Sequence, residues 1–289
     1  LEYLWLLHDD SRPEQGDYVE RLNEVRRNNS QVSVIGAKQL SWDGTTLSNV
    51  GYYAHPRHNV TSLVVDGEID QDQYNARQDM YAVSLAGAFV RIADWMRLGG
   101  FSYSAGTCGQ SRDFGRRVVR AGGRVIVVPE AHIAHRRARF SGVRTRHGHV
   151  HHYDADDTRT LRNSALSTLI ARDAYKYSDV ARLRWIYMWP VSLIMAVIRA
   201  ATNFGKKMPY EALCELLLPW YDLVHAHSLS AQRSLLRNVQ TVSLSQLSGL
   251  VATSDQLRVY ADRTANLLSQ DDYESVSPLV KKHLREQSR

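Results

Sequence analysis

The sequence predicts an α/β layer followed by a mostly α-helical region. Three observations lead there. From Leu1 to about His135, short apolar and β-branched runs alternate with helical patterns and glycine-marked turns. From about Asp157 the apolar residues recur at helical spacing almost to the end. The composition is 44% hydrophobic and 23% charged over 289 residues, with 17 Gly and 7 Pro. A chain of that kind buries a real core, which excludes collagen-like, mucin-like and wholly disordered classes.

In chain order, Tyr3–Leu7 reads as a fully buried strand that ends abruptly at His8-Asp9-Asp10. A helix follows, with Asp17 as N-cap and Tyr18, Leu22 and Val25 on one face. Gln31–Gly36 is a second strand, and Asp43-Gly44 marks a hairpin between Gln39–Trp42 and Thr45–Val50. The acidic stretch Asp66–Asp79 reads as a mobile loop. Met80–Val90 is a strand, Ile92–Leu98 a short helix stopped by Gly99-Gly100, and Asp113–Ala121 a helix closed by Gly122-Gly123. Arg124–Val128 is a buried β-branched strand. Leu161–Tyr175, Val180–Ala201, Tyr210–Leu236 and Leu244–Leu268 are helical, with Pro209 and Pro219 as starts or breaks. This divides the chain into an α/β unit over 1–146, a helical unit over 147–268 and a polar tail over 269–289.

The net charge of +6 favours anionic partners without naming one. Two cysteines, Cys108 and Cys214, are too few for a disulfide framework and suit a reducing compartment. Leu1–Leu7 lacks the basic flank of a secretion signal. The apolar run Trp185–Ile198 contains Pro190 and is shorter than the ~20 residues a spanning helix needs. It is either a core helix or one lying in a membrane interface, flanked as it is by Arg182, Arg184 and Arg199.

A buried strand ending in paired carboxylates places charge at the sheet edge where α/β folds bind ligands. Adjacent carboxylates repel unless a cation stands near, and hard oxygen ligands select Mg²⁺ or Mn²⁺. The alternative is that Asp9 or Asp10 merely caps a turn. Further along come Leu98-Gly99-Gly100-Phe101, then Cys108-Gly109-Gln110-Ser111-Arg112-Asp113 running on to Arg117. The strand ending in Val128-Pro129 and the histidines His132 and His135 complete the series.

In that order the motifs resemble the second half of a family 2 glycosyltransferase of the GT-A fold, most of all the actinobacterial cell-envelope type. The resemblance implies a partial GT-A-type mixed sheet and a metal-dependent, inverting sugar transfer. The donor would be a nucleotide-sugar, and the acceptor a glycan or a lipid-linked molecule at the cytoplasmic face of the cell membrane. It also implies that a nucleotide-binding part precedes Leu1. Residue by residue, Asp10 with Asp9 and His135 would hold Mg²⁺ or Mn²⁺. His8, Arg136 and Arg137 would stand at the donor diphosphate, and Gly99, Gly100 and Phe101 would line the acceptor side.

One departure stands out. Gln110 and Ser111 occupy the place of the family's acidic pair, whose second acid is the usual base. Asp113 could take that role, or Asp94 or Asp79 could reach in, or the chain is a non-catalytic glycan- or lipid-binding module. Arginines 136, 137, 139, 144 and 146 suit a diphosphate or a lipid-linked pyrophosphate. Without interleaved aromatics they do not suggest nucleic acid. His147, His149, His151 and His152 form a possible zinc cluster or an exposed linker, and Cys108 is a wall residue rather than a nucleophile.

Overall fold

The structure, a computed structural model, describes residues 2–56, 59–65, 67–76, 78–102, 105–136, 143–146, 149–152, 158–205 and 209–269. Its centre is a six-stranded mixed sheet built from β1 (Tyr3–Trp5), β2 (Ser11–Pro13), β3 (Val32–Leu40), β4 (Leu47–Asn49), β7 (Phe89–Arg91) and β8 (Arg124–His135). The order is β1-β7-β3-β8-β2, with β4 paired to the end of β3. The two long strands β3 and β8 run parallel; every other pair in the sheet is antiparallel. Small hairpins form from β5 (Tyr53–His55) with β6 (Asn59–Thr61) and from β9 (Val143–Arg146) with β10 (His149–His152).

All nine residues of β3 are buried, as expected of a strand covered on both faces. One face packs against α1 (Tyr18–Asn28) through Tyr18, Leu22, Ile35, Ile126 and Ile133. The other packs Val34, Val125 and Val127 against Phe114 and Val118 of α3 (Gly106–Arg120). The α3 helix is in turn covered by Ala171 and Tyr175 of α4 (Thr158–Asp179). Buried Arg116 stitches α3 to α4, donating to Ser178 Oγ at 2.9 Å and Asp179 Oδ1 at 2.7 Å. The helical half then continues as α5 (Arg182–Gly205), α6 (Pro209–Val224) and α7 (Ala226–Val239). A 3₁₀ turn (Ser245–Leu250) and α8 (Ser254–Ser269) complete it.

Several elements depart from the sequence expectation, each for a physical reason. The Met80–Val90 strand is reduced to Phe89–Arg91. Met80, Ala82, Val83 and Leu85 are buried, but the backbone zigzags, with Met80 N–H bonding Val125 O and Tyr81 N–H bonding Tyr52 O. A short buried apolar run has no periodicity that separates strand from packed coil. The α3 helix starts at Gly106 rather than Asp113, because packing against α4 outweighs the glycines' low helix propensity. Strand β8 runs past Pro129 to His135. The register with β3 slips between Ala37 and Lys38, a bulge that absorbs the proline. Pro219 lies inside α6, and the break in the expected Tyr210–Leu236 helix falls at His225 instead.

The acidic stretch after Val65 is anchored rather than loose. Lys38, fully buried on β3, donates to Asp70 Oδ2 at 2.8 Å and reaches Asp72 Oδ1 at 3.4 Å, and Tyr74 donates to Glu68. A buried ammonium needs such partners, and they draw the loop onto the sheet. Asp66 and Arg77, like the tail beyond Ser269, lie outside the described residues.

The helices α5 and α6 pack on one another yet leave a broad apolar face uncovered. Ile186, Val191, Ile194 and Val197 of α5 are more than half exposed, as are Leu217, Trp220 and Leu223 of α6. The α5 helix is long and apolar enough to cross a membrane by length and composition, and only 17% of its most apolar window is buried.

Candidate active site

The strand β1 gives way to a tight turn at His8-Asp9-Asp10. Ser11 closes it: the His8 N–H donates to Ser11 Oγ at 3.1 Å, and that hydroxyl donates to His8 O at 3.0 Å. The chain then enters β2, where Ser11 pairs with His135 at the end of β8. This pairing brings together residues 125 apart in sequence. His135 Nε2 lies 3.1 Å from Asp10 Oδ1, and the Arg136 N–H donates to Asp10 O at 2.8 Å. The His8 ring meets the His135 ring edge-on with centroids 5.3 Å apart.

One ligand atom each from His8, Asp10 and His135 fall within 4.8 Å of one another, a grouping suited to a metal ion. Adjacent ligands at ~2.1 Å in an octahedral shell stand ~3.0 Å apart, so the His135–Asp10 separation fits two neighbouring ligands. Desolvation by its neighbours, and the proximity of His135, hold the His8 pKa below the ordinary histidine value, with Asp10 and Asp9 acting the other way. A neutral imidazole is the form that ligates. The cluster differs from the expected set in one member: exposed Asp9 is not part of it, and His8 takes that place.

The turn expected on the acceptor side forms as its glycines require. Gly99 (φ 75°) ends α2 (Ile92–Leu98) in a left-handed cap and Gly100 (φ 61°) continues it, with Phe101 stacked edge-on to Trp95 at 4.9 Å. Asp113, expected as the base, is not open to this turn. It is fully buried, and its Oδ2 is held by Arg117 at 2.8 Å while its Oδ1 accepts from Gln232. Arg117 in turn donates to Leu98 O and, at 2.6 Å, to Gly100 O, while Ser102 Oγ donates to Gln232 Oε1 at 2.8 Å. Both carboxylate oxygens are spoken for, so Asp113 positions the turn from beneath. Ser111, where the family's acid belongs, accepts from the Leu85 N–H at 3.3 Å.

The other acids named from the sequence are also engaged. Asp79 pairs with Arg124 at 2.5 Å. Burial works to raise the Asp94 carboxyl, but hydrogen bonds from Arg97 and Ser33 and the charge of Arg91 hold it below the usual range. Arg137 and His147 lie outside the described residues, as do the side chains of Cys108, His149, His151 and His152. Gln232 and Ser102 were missed in the sequence, since no motif marks a glutamine on a late helix as part of an α/β site. Arg117 sat at its motif position, but its grip on the Gly99-Gly100 turn is visible only in three dimensions.

A curled mixed sheet with flanking helices, a His-Asp-His cluster at one strand edge and a glycine turn after α2 define a GT-A-like α/β enzyme. The chain belongs to glycosyl transferase family group 2, whose family model matches residues 3–235. That span takes in the sheet and the helices through most of α7, so the helical half is part of the family unit. The family carries glycosyltransferase activity, with a nucleotide-sugar donor and an acceptor. A comparison with curated proteins finds no match.

Proposed function

We propose that this chain moves a hexosyl group, with inversion, from a nucleotide-sugar to a cell-envelope glycan or a lipid-linked acceptor. It would do so in a metal-dependent reaction at the cytoplasmic face of the membrane. The observation that carries the reading is the convergence of His8, Asp10 and His135 beside a sheet edge. A divalent ion there would neutralise the leaving diphosphate. Two imidazoles with one carboxylate suit Mn²⁺ better than Mg²⁺, which prefers an all-oxygen shell.

The chain's own residues do the rest. Ser11 holds the ligand turn closed, and β2–β8 pairing sets His135 against Asp10. Gly99 bares its backbone where a Cβ would obstruct a sugar, Gly100 is buried against the Trp95 ring, and Arg117 with Asp113 keeps that turn in place. The uncovered apolar face of α5 and α6 supports a membrane-lying orientation, with exposed Arg182 and Arg184 at one end of α5 facing solvent where anionic headgroups would lie.

The test is release of nucleoside diphosphate from a panel of sugar nucleotides by the purified protein that contains this chain, since the resemblance places the nucleotide-binding part ahead of Leu1, with a membrane extract as acceptor source. Turnover should appear with Mn²⁺, vanish with chelator and be lost in Asp10→Asn. Turnover that ignores both chelation and Asp10→Asn refutes the metal-dependent reading.

A further inference from the structure

The corner where α4 gives way to α5 gathers three arginines that the sugar-transfer reading does not use. Arg233 and Arg237, one turn apart on α7, reach back to it: Arg233 Nε donates to Val180 O at 2.8 Å and Arg237 Nη2 to Asp179 O at 3.1 Å. Arg182, the first residue of α5, crosses the other way, its Nη2 donating to Ser230 Oγ at 2.5 Å and to Ser234 Oγ at 3.3 Å. Three guanidinium groups thus meet between two helices, with Arg182 and Arg237 exposed and Arg233 half-buried. The corner is held firm, since Trp185 Nε1 donates to Tyr177 O at 3.0 Å and the Arg184 N–H to Ala181 O at 2.9 Å.

Capping the last carbonyls of α4 accounts for part of this, because cations suit a helix C-terminus. It does not account for the charge. The carboxylate at the corner, Asp179, is claimed by buried Arg116 at 2.7 Å and by Arg120 at 3.1 Å. Among the described residues no carboxylate pairs with Arg182, Arg233 or Arg237. Partial burial, and then the charges of Arg237 and Arg182, hold the Arg233 pKa below the ordinary arginine value. Like charges one turn apart also weaken the helix that carries them. The cluster therefore works against the fold unless an anion joins it.

The donors define that anion. Each arginine uses one nitrogen in the bonds above, and a guanidinium has three nitrogens with five N–H donors in a planar fork that matches phosphate oxygens. Three positive charges outweigh the single charge of a phosphodiester, whereas a phosphomonoester carries close to two above its second pKa of ~6. The cluster also runs directly into apolar surface. Leu183, Ile186 and Tyr187, in the first turns of α5, are each more than two-thirds exposed. An acyl chain would cover such residues and a free phosphate would not. We propose that Arg182, Arg233 and Arg237 form a headgroup site for a membrane lipid bearing a phosphomonoester, a site that shares no residue with the His8–Asp10–His135 cluster. The site deepens the membrane-lying reading of α5 and α6 and rests on it for the bilayer, while its phosphate chemistry stands on the arginines.

The experiment is flotation of the whole chain at pH 8 with phosphatidylcholine vesicles containing either phosphatidic acid or phosphatidylglycerol at matched surface charge. The chain should prefer phosphatidic acid. Arg182→Gln, Arg233→Gln and Arg237→Gln should each weaken that binding about fivefold, the equivalent of ~1 kcal/mol for one arginine at an anionic surface. The charge-conserving triple variant Arg182→Lys, Arg233→Lys, Arg237→Lys keeps the attraction and loses the forks, so its binding to phosphatidic acid should drop to the phosphatidylglycerol level. Equal binding of the two lipids by the parent chain, or a preference that survives the three lysines, overturns the site. Calorimetric titration with short-chain, soluble dihexanoyl phosphatidic acid reads the headgroup contact without a bilayer. No binding to the parent chain overturns the site, and inorganic phosphate that competes equally overturns its assignment to a lipid. Short-chain binding without flotation on any vesicle refutes the membrane-lying reading and leaves the headgroup site standing. Thermal unfolding of each variant separates lost binding from lost fold.

Discussion

Asp113→Asn tests whether the buried acid is a positioning residue or the base. The substitution keeps shape but removes the charge that faces Arg117, whose side chain is 1% exposed. Arg117 would keep its bonds to Leu98 O and Gly100 O but would be a buried cation without a counterion. Breaking one partner of a buried pair costs about 3–5 kcal/mol. In a chain of this size 1 kcal/mol moves the melting temperature by ~2–4 °C, so Asp113→Asn should melt ~6–20 °C lower. Calorimetry, or urea unfolding with the slope checked for constancy, reads this directly. Because Arg117 anchors the Gly99-Gly100 turn, acceptor KM should rise in any folded variant while donor binding holds. A variant that melts within about 1 kcal/mol of the parent, binds acceptor normally and has lost kcat alone would refute the structural role and restore Asp113 as base.

Four further perturbations probe the cluster, the core, the apolar face and a buried acid. Asp10→Asn and His135→Ala should lower Mn²⁺ affinity, read by calorimetry, by more than the ~10–100-fold that outer-shell changes cost; Asp9→Asn should leave it unchanged, and equal losses in all three would redraw the site. Gly115→Ala puts a Cβ 2.5 Å from Ala82 Cβ and 2.7 Å from its Cα, so urea unfolding should show overpacking of ~1–3 kcal/mol; a parental midpoint contradicts the packing of α3 on residues 81–82. Ile194→Glu combined with Leu217→Glu should abolish flotation with anionic vesicles; undiminished flotation means another surface binds lipid. Burial, and then the neighbouring Asp173, push the Asp222 carboxyl up from 3.8 to about 8. The folded chain therefore holds a proton that the unfolded chain releases, and stability falls as pH climbs from ~4 towards ~8. Asp222→Asn, which mimics the protonated form, should flatten that decline in melting temperature, and parallel pH profiles for the two proteins would contradict the assignment.

What the sequence revealed and what it hid divide along a physical line. Residues whose role depends on local chemistry were legible. The acids after an apolar strand, the glycines ending α2 and the histidine closing β8 advertise themselves through residue type and order, and the structure sets Asp10 and His135 3.1 Å apart. The strand itself, read as fully buried, is only partly so, with Trp5 and Leu7 exposed because it lies at the sheet edge. Asp9 and Asp10 could not be ranked, because adjacent residues of a turn point in different directions and only the β2–β8 register decides which one faces His135. The burial of Asp113 was hidden for a related reason: an acid near a helix start is equally apt for solvent or for burial. The deciding partner, Gln232, lies 119 residues away on a helix with no motif.

That partner changes the standing of the helical half. Through Ser102–Gln232–Asp113–Arg117–Gly100, a side chain of α7 is joined by hydrogen bonds to the backbone of the Gly99-Gly100 turn. Without Gln232, Asp113 Oδ1 loses a buried donor, and an unsatisfied group of that kind costs ~1–3 kcal/mol. The same helical half presents the apolar face of α5 and α6. The uncovered apolar face and the Gly99-Gly100 turn are thus parts of one hydrogen-bonded body. Displacing α7 would loosen the turn without touching the metal cluster, so acceptor use should suffer while Mn²⁺ binding persists. Gln232→Leu separates the two: a matched loss of Mn²⁺ affinity would show that the helical half supports the whole site rather than its acceptor side.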